Sequence, residues 1–189
     1  MKTEKEKMLA GQLYDASDEQ LSRERRQARL LMHQLNHSRD DEEVLRHKLL
    51  NELIPHAGEG LWIEPPFYCD YGCNIYTGKK VFFNFNCVIL DVMSVKIGSN
   101  VLFGPSVQVY TATHPLDWQE RAKWLEFAKP ITIGSEVWVG GGAIINPGVH
   151  IGDRSVIGSG SVVTKDIPSD VFAAGNPCKV IRALDQAEK

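Results

Sequence analysis

The side chain best suited to acid–base chemistry in this sequence is His114, which begins the segment HPLDWQERAKWLEFAK over residues 114–129. An imidazole titrates near neutral pH and can therefore accept a proton from a hydroxyl group. The segment is polar and aromatic, and a long loop on a rigid scaffold usually has a functional role. His114 is a candidate general base, with a surface histidine beside Pro115 as the alternative interpretation.

Histidines and cysteines also raise the question of a metal site. Of the six histidines, those at positions 33, 37, 47 and 56 fall in an N-terminal segment with a helical pattern. His114 and His150 remain, which is one imidazole short of a three-histidine zinc site. The four cysteines, at positions 69, 73, 87 and 178, match neither a C-x-x-C pair nor a zinc ribbon. We expect no metal and interpret the cysteines as small buried hydrophobic residues.

The element that must position His114 is a six-residue repeat. An aliphatic residue recurs with this period at Ile133, Val139, Ile145, Ile151, Ile157 and Val163. A period of six fits neither an amphipathic helix nor an alternating strand, and it is typical of a parallel β-helix. Glycine or asparagine often follows the aliphatic residue, which we attribute to corners that need unusual φ and ψ angles. The sequence therefore predicts a mainly β protein whose coils bury an aliphatic column.

The repeat also covers the chain before residue 114, with interruptions. The six-residue phase is held by Ile63, Cys69, Ile75, Val81 and Cys87, and later by Ile97, Phe103 and Val109. Between these two groups the phase slips, because Val81 to Ile97 spans 16 residues where three units would take 18. We place an irregular corner at residues 91–94.

Residues 1–57 precede the repeat and have a charged, helical pattern. Ser17 and Gln20 form a capping-box pattern before an apolar stripe, and a second helix is predicted to begin near Asp40 and to end near Pro55. We predict a helical arm over residues 1–57 and a β-helix over residues 58–189. The β-helix carries a protruding loop at 114–130 and a short C-terminal segment.

Composition argues against several classes of function. The 189-residue chain has a formal net charge of −3, which suggests no basic surface for nucleic acid. No apolar run approaches the roughly 20 residues of a membrane span. The N-terminus MKTEKEKMLAG lacks the apolar region of a secretion signal. We expect a cytoplasmic protein that binds neither nucleic acid nor membrane.

Four motifs together resemble one family: EPPFYCDYG at 64–72, FNFN at 83–86, TATHP at 111–115 and AAGNPCKVIR at 173–182. In these motifs the chain is similar to the maltose and galactoside O-acetyltransferases, which are hexapeptide-repeat acyltransferases, and more so to the maltose type. The resemblance implies a left-handed coil and a homotrimer with active sites between subunits. It also implies direct transfer of acetyl from acetyl-CoA to a hydroxyl of a sugar such as maltose or glucose.

The resemblance assigns catalytic and acceptor-binding roles to single residues. His114 matches the general base of the family, and Glu126 matches a glutamate that orients this histidine in maltose-type relatives, with a solvated carboxylate as the alternative. Asp70 and Asn84 match positions that bind the acceptor, and the amide of Asn84 is also expected to assist the transition state. Two further carboxylates fall near acceptor contacts of the family, with turn or surface carboxylates as the alternative: Asp91 and Asp15.

A second set of positions matches contacts to acetyl-CoA. The basic residues of the set are expected to bind its phosphate groups. The peptide N–H of Gly141 is expected to stabilise the oxyanion that develops at the thioester. Trp138 is expected to line the groove for the pantetheine arm, with packing at a corner of the coil as the alternative. The full set is Gly141, Ser159, Thr164, Lys165, Lys179, Arg182 and Trp138.

Other functions stay open at this point. The acceptor could be a galactoside or another small molecule, such as an amino sugar or an antibiotic. A zinc-dependent hydratase on the same scaffold would need three imidazoles around one metal. A non-catalytic trimeric scaffold would have no need for His114, Asn84 and the basic C-terminal residues together.

Overall fold

The computed structural model describes residues 2–184, which form four helices and nineteen short strands. The helices are α1 (Glu4–Leu9), α2 (Glu19–Asn36), α3 (Glu43–Leu53) and α4 (Trp118–Arg121). The strands are β1 (Tyr14–Asp15), β2 (Trp62–Ile63), β3 (Phe67–Cys69), β4 (Ile75–Thr77), β5 (Phe82–Phe83), β6 (Cys87–Leu90), β7 (Val95–Ile97), β8 (Leu102–Phe103), β9 (Gln108–Tyr110), β10 (Ala112–Thr113), β11 (Leu125–Ala128), β12 (Ile131–Ile133), β13 (Trp138–Val139), β14 (Ile144–Ile145), β15 (His150–Ile151), β16 (Val156–Ile157), β17 (Val162–Val163), β18 (Val171–Ala174) and β19 (Lys179–Ala183).

Three parallel sheets form the three faces of one coil. The first face contains β2, β5, β8, β13, β16 and β18, the second contains β3, β6, β9, β14 and β17, and the third contains β4, β7, β12 and β15. The chain passes from the first face to the second and then to the third in each turn, so the six strands of the first face mark six coils. The predicted parallel β-helix is confirmed.

The core is the aliphatic column that the repeat predicts. All six repeat positions from Ile133 to Val163 are at most 1% exposed. Two serines, Ser155 and Ser161, also point inward and are fully buried. Their hydroxyl groups donate to the backbone carbonyl oxygens of Pro168 and Gly158, so no buried donor is left unpaired there.

The predicted phase slip is real, but its sign was wrong. Each face buries a pair of residues that are two positions apart. Val81 is the first residue of its pair, and the first residue of the pair on the third face is Val95, not Ile97. Val81 to Val95 spans 14 residues where two units take 12, so the corner inserts two residues. The same insertion gives the first two coils 20 residues each, because Trp62 pairs with Phe82 and Phe82 with Leu102.

The unusual φ angles predicted for the corners are found at Gly142, Gly148 and Gly160, but not at the glycines that directly follow the aliphatic positions. At the edge between the third and first faces, positive φ angles of 55–60° belong to Lys80, Asn100, Glu136, Arg154 and Asp170. Gly98 and Gly134 lie two residues earlier and are absent from the positive-φ positions. A Cβ on Gly98 would lie 2.5 Å from the backbone nitrogen of Ser135 in the next coil. These glycines are therefore needed for close stacking of coils, not for an unusual φ.

The helical arm covers the first coil. Helix α2 begins after Asp18, whose carboxylate caps Leu21 N–H, so the cap is Asp18 and not the predicted Ser17. At its other end, the amide of Asn36 accepts from Phe67 N–H and donates to Phe67 C=O. These two bonds attach α2 directly to β3, on the coil edge that would otherwise lack a neighbour.

The segment predicted as a loop at 114–130 is a hairpin with a short helix at its tip. Strands β10 and β11 pair antiparallel and enclose α4, and β1 of the arm adds to the other side of β11. The hairpin leaves the coil at the edge between the second and third faces, where Thr111 N–H bonds Leu90 C=O and Ile131 N–H bonds Ser94 C=O. A single long loop therefore becomes a three-stranded sheet that joins the arm to the coil.

At the C-terminal end, β19 turns back antiparallel to β18 and extends the first face. The described residues end at Leu184, so the rest of the predicted short C-terminal segment lies outside them. None of the helices in residues 2–184 is long and apolar enough to cross a membrane.

Candidate active site

His114 lies in a cleft where the hairpin, the arm and the coil meet. The cleft has a volume of about 320 Å³. It brings together three residues predicted as site residues, His114, Glu126 and Asp70, with two arginines that were not predicted. Its lining consists of Tyr14, Ala16, Arg25, Arg29, Asp70, Leu90, Val92, Ala112, His114 and Glu126.

The orientation of His114 is set by the main chain of the hairpin. Nδ1 of His114 lies 3.2 Å from the carbonyl oxygen of Leu125. A carbonyl oxygen only accepts hydrogen bonds, so this contact assigns the proton of the neutral ring to Nδ1 and leaves the lone pair on Nε2. The orienting partner predicted from the sequence was the Glu126 carboxylate. The structure corrects this, because Leu125 C=O occupies that position.

Glu126 is held by the arm instead. The Tyr14 hydroxyl donates to Oε2 of Glu126 at 2.8 Å, and the two residues face each other in the β1–β11 pair. Burial, together with this hydrogen bond, raises the pKa of the Tyr14 phenol. Within residues 2–184, Oε1 of Glu126 receives no hydrogen bond, so one carboxylate oxygen is left for a ligand in the cleft.

Asp70 presents a second carboxylate to the same cleft. It follows β3, at the corner where the first coil turns to its third face. No donor among the described residues bonds its side chain. Burial raises the pKa of Asp70, while the positive charges of Arg25 and Arg29 oppose that rise. A partly desolvated carboxylate without an internal partner is suited to accept hydrogen bonds from hydroxyl groups.

Arg25 and Arg29 were missed by the sequence reasoning. They lie four residues apart on α2 and both line the cleft. Arg25 donates to the Tyr71 hydroxyl and to Ala16 C=O, whereas Arg29 has no hydrogen-bond acceptor within the described chain. In a charged helix, two arginines four residues apart predict only a solvated face. They face the cleft because α2 packs against the corner that contains Asp70.

The predicted acceptor contact of Asp91 is corrected, whereas that of Asp15 stays a prediction. Asp91 is fully buried, and its carboxylate accepts from the backbone N–H groups of Asp70, Tyr71 and Asn74. It stabilises the irregular corner and does not face the cleft. Asp15 is exposed beside the cleft, where its carboxylate accepts from N–H and hydroxyl of its neighbour Ser17.

Asn84 and three predicted cofactor contacts lie elsewhere on the coil. Asn84, Gly141 and Ser159 follow strands of the first face and stack along its edge with the second face, where Gly160 N–H bonds Gly141 C=O. Within residues 2–184 the N–H of Gly141 has no acceptor, as an oxyanion donor requires. Trp138 lies on the first face and is 54% exposed. None of these four residues lines the cleft of His114.

The basic residues predicted to bind the cofactor are separated as well. Thr164 and Lys165 follow β17 and lie on the edge from which the hairpin leaves, two coils beyond it. Lys179 and Arg182 lie on β19 at the end of the first face. All four side chains are exposed. One chain therefore distributes the predicted cofactor contacts over two edges, with the second face between them.

A second and larger groove, of about 480 Å³, also includes His114 in its lining. It is lined by His114, Trp118, Arg121, Ala122 and Trp124, all on the hairpin. His114 is thus shared by a polar cleft and an aromatic groove. For a metal, residues 2–184 hold no group of three or more His, Cys, Asp or Glu side chains arranged as ligands.

Comparison with other proteins identifies the family. The maltose acetyltransferase hexapeptide capping motif matches residues 7–58, and the bacterial transferase hexapeptide motif of six repeats matches residues 130–165. The galactoside O-acetyltransferase of Escherichia coli is 45% identical over 184 residues, which cover 97% of this chain and 91% of that protein. The chain belongs to the maltose and galactoside O-acetyltransferase family. Its membership confirms the family predicted from the motifs, and with it the class of enzyme, an acyltransferase.

Two solved structures related to the maltose and galactoside O-acetyltransferase family share the fold over nearly their whole length. A maltose O-acetyltransferase from Clostridium difficile 630 has a TM-score of 0.96 and 47% identity, covering 98% of this chain and 99% of that one. A hexapeptide-repeat acetyltransferase from Vibrio cholerae, complexed with acetyl coenzyme A, has a TM-score of 0.90 and 42% identity, covering 98% and 100%.

Proposed function

We propose that the chain transfers acetyl from acetyl-CoA to a hydroxyl group of a neutral sugar such as maltose or glucose, with His114 as the general base. The observation that carries this proposal is the His114 ring, whose Nδ1 is occupied by Leu125 C=O and whose Nε2 is left for a proton. The membership of the family and the acetyl coenzyme A in the Vibrio cholerae structure support the donor.

The chemistry needs one base. As the sugar oxygen attacks the thioester carbonyl carbon, Nε2 of His114 accepts the proton of that hydroxyl. The C–S bond then breaks, the carbonyl is restored as an ester, and the imidazolium returns its proton to the departing thiolate of CoA. The Gly141 N–H is the proposed donor to the oxyanion, and removing one such donor typically costs about 3 kcal/mol of barrier.

The charges of the cleft favour a neutral acceptor. The carboxylates of Asp70 and Glu126 are balanced by the guanidinium groups of Arg25 and Arg29, all lining one cavity. An anionic or cationic ligand would upset this balance, whereas a polyol can donate to the free carboxylate oxygens and accept from Arg29. The sugar is thus expected to lie between Asp70 and His114.

The distribution of residues over two edges supports a site shared between chains. His114, Asp70 and Glu126 face one edge of the coil, while Asn84, Gly141 and Ser159 face another. We propose a homotrimer in which the first edge of one subunit meets the second edge of its neighbour. The acetyl-CoA then lies in the crevice between two parallel coils.

The proposal is tested by release of CoA thiol from acetyl-CoA with maltose, glucose, a galactoside and glucosamine as acceptors. We expect sugar-dependent release by the wild type and a loss of about 10²–10⁴-fold in kcat for His114→Ala. His150→Ala is the matched control, because His150 is an exposed histidine of the coil outside the cleft. Full activity of His114→Ala, or no sugar-dependent release by the wild type, would show that the mechanism is wrong.

A further inference from the structure

Strand β1 of the helical arm pairs with the hairpin that carries the proposed base. Strand β1 has only two residues, and they pair with Glu126 and Leu125. Tyr14 faces Glu126, which lines the cleft, and Asp15 faces Leu125, whose carbonyl oxygen bonds His114. The arm therefore attaches to the hairpin at the two residues that surround His114.

The aromatic ring of Tyr14 is held in place by hydrophobic packing. Its side chain is 1% exposed and belongs to a small separate core with Met8, Leu21, Tyr71, Val92 and Ala128. These residues come from the arm, from the first two coils and from the hairpin. The ring therefore has one position, and its hydroxyl group reaches the Glu126 carboxylate from that position.

We infer that Tyr14 is a positioning residue, whose hydroxyl group holds the Glu126 carboxylate so that Oε1 points into the acceptor cleft. The phenol bonds Oε2 and leaves Oε1 without a donor among the described residues. A glutamate has three rotatable side-chain bonds, and this contact is the only hydrogen bond of the Glu126 side chain within residues 2–184. Without it, nothing in that part of the chain selects the rotamer that lines the cleft. This inference rests on the proposed function of the cleft.

The kinetic test is a double-mutant cycle on Tyr14→Phe and Glu126→Ala, measured as sugar-dependent release of CoA thiol. Tyr14→Phe keeps the packed ring and removes only the hydroxyl group. We expect kcat to fall by about tenfold, with the KM for acetyl-CoA unchanged, and the same change to cost less than about twofold in the Glu126→Ala background. Tyr76→Phe, which removes a hydroxyl group from the distant third face, is the control and is expected to keep the wild-type rate.

A structural readout separates this inference from the proposed function. Crystal structures of wild type and Tyr14→Phe are expected to show the Glu126 carboxylate turned out of the cleft in the variant alone. If the wild type transfers no acetyl group but this displacement occurs, the proposed function fails and the positioning role stands. An unmoved Glu126 carboxylate, or a tenfold loss that persists in the Glu126→Ala background, overturns the role of Tyr14.

Discussion

Asp91 is the most deeply buried carboxylate of the described chain, and it bonds three backbone N–H groups at the corner where the coil inserts extra residues. Burial raises the pKa of Asp91 to about 7, against the opposing effect of the hydrogen bonds from the Tyr71 and Asn74 N–H groups. Its unfolded value is near 4. The native state therefore keeps a proton that the unfolded chain releases.

This difference predicts a stability that falls as pH rises. Between about pH 4 and pH 7 the folded state binds more protons, so the contribution of Asp91 to the free energy of unfolding declines by up to about 4 kcal/mol and is constant above pH 7. Asp91→Asn is expected to lack this decline. Urea unfolding at one protein concentration and several pH values measures it. Asp41→Asn, an exposed carboxylate, should instead follow the wild type, and a parallel curve for Asp91→Asn would contradict the assignment.

The site residues that could be predicted from the sequence are those that lie within a short contiguous motif. The motifs CDYG and TATHP led to Asp70 and His114, and the structure places both in one cleft. Arg29 and Tyr14 were not predictable, because their roles depend on how the arm packs against residues about 40 and 110 positions later. Asp91 matched an acceptor position by sequence, yet the two inserted residues turn it inward.

At the scale of elements, two glycines allow two structural reasons for glycine to be compared: close stacking of the coils at Gly98 and a positive φ angle at Gly60. Gly98→Ala places a Cβ 2.5 Å from Ser135 N in the next coil, so the stacked backbones must separate, at a cost of about 3 kcal/mol. Gly60 has a φ of +79°, and the three atoms nearest to a Cβ there all belong to Lys80, at 3.5–3.6 Å, which is ordinary van der Waals contact. Gly60→Ala is therefore expected to cost only about 1 kcal/mol, through backbone strain.

Equilibrium unfolding in urea compares the two variants. Gly98→Ala should be at least about twice as destabilising as Gly60→Ala. Equal losses would mean that conformational freedom alone explains the glycines of the repeat. Both positions lie on the edge between the third and first faces, away from the candidate site, so activity is not needed for this comparison.

The repeat allowed the coil to be predicted, but not the elements attached to it. Every six-residue position from Ile133 to Val163 is buried as predicted, because a period of six is a local property of the chain. The hairpin was taken for a loop because β10 and β11 have two and four residues, too few to show a period. Its third strand, β1, comes from the arm, about 110 residues earlier in the sequence.

At the scale of the whole molecule, the proposed shared site predicts complementation between inactive variants. His114→Ala and Asn84→Ala are each expected to be nearly inactive. The two variants are mixed in equal amounts, denatured and refolded together. A site is then intact if the Asn84→Ala chain supplies its His114 and the His114→Ala chain supplies its Asn84. Random assembly makes about a quarter of the sites intact, so about a quarter of the wild-type rate is expected.

The control for this experiment is a mixture of His114→Ala and Asp70→Ala. Both residues line the same cleft of one chain, so no hybrid site is intact and the rate should stay at the mean of the two parents. If the His114→Ala and Asn84→Ala mixture also stays at that mean, each site is built from a single chain. Size-exclusion chromatography with light scattering then gives the number of chains in the particle.

The handedness of the coil cannot be predicted from the six-residue period. A period of six places side chains inside or outside, and it does so for either hand. The general preference of parallel crossovers is right-handed, and only the family resemblance predicts the left hand. Association between chains is likewise absent from the pattern, because the repeat specifies the inside of the coil, whereas the proposed trimer would depend on its outer edges.

The bonds between Asn36 and Phe67 have a consequence for how this protein stays a discrete particle. A stack of parallel strands has an open edge at each end, and an open edge can template another chain and grow into a filament. Here Asn36 of the arm bonds β3 in the first coil, and at the other end the reversed strand β19 carries the charged residues Lys179 and Arg182, which disfavour pairing at a sheet edge. We therefore expect these features at the two ends of the coil to disfavour its growth into a filament.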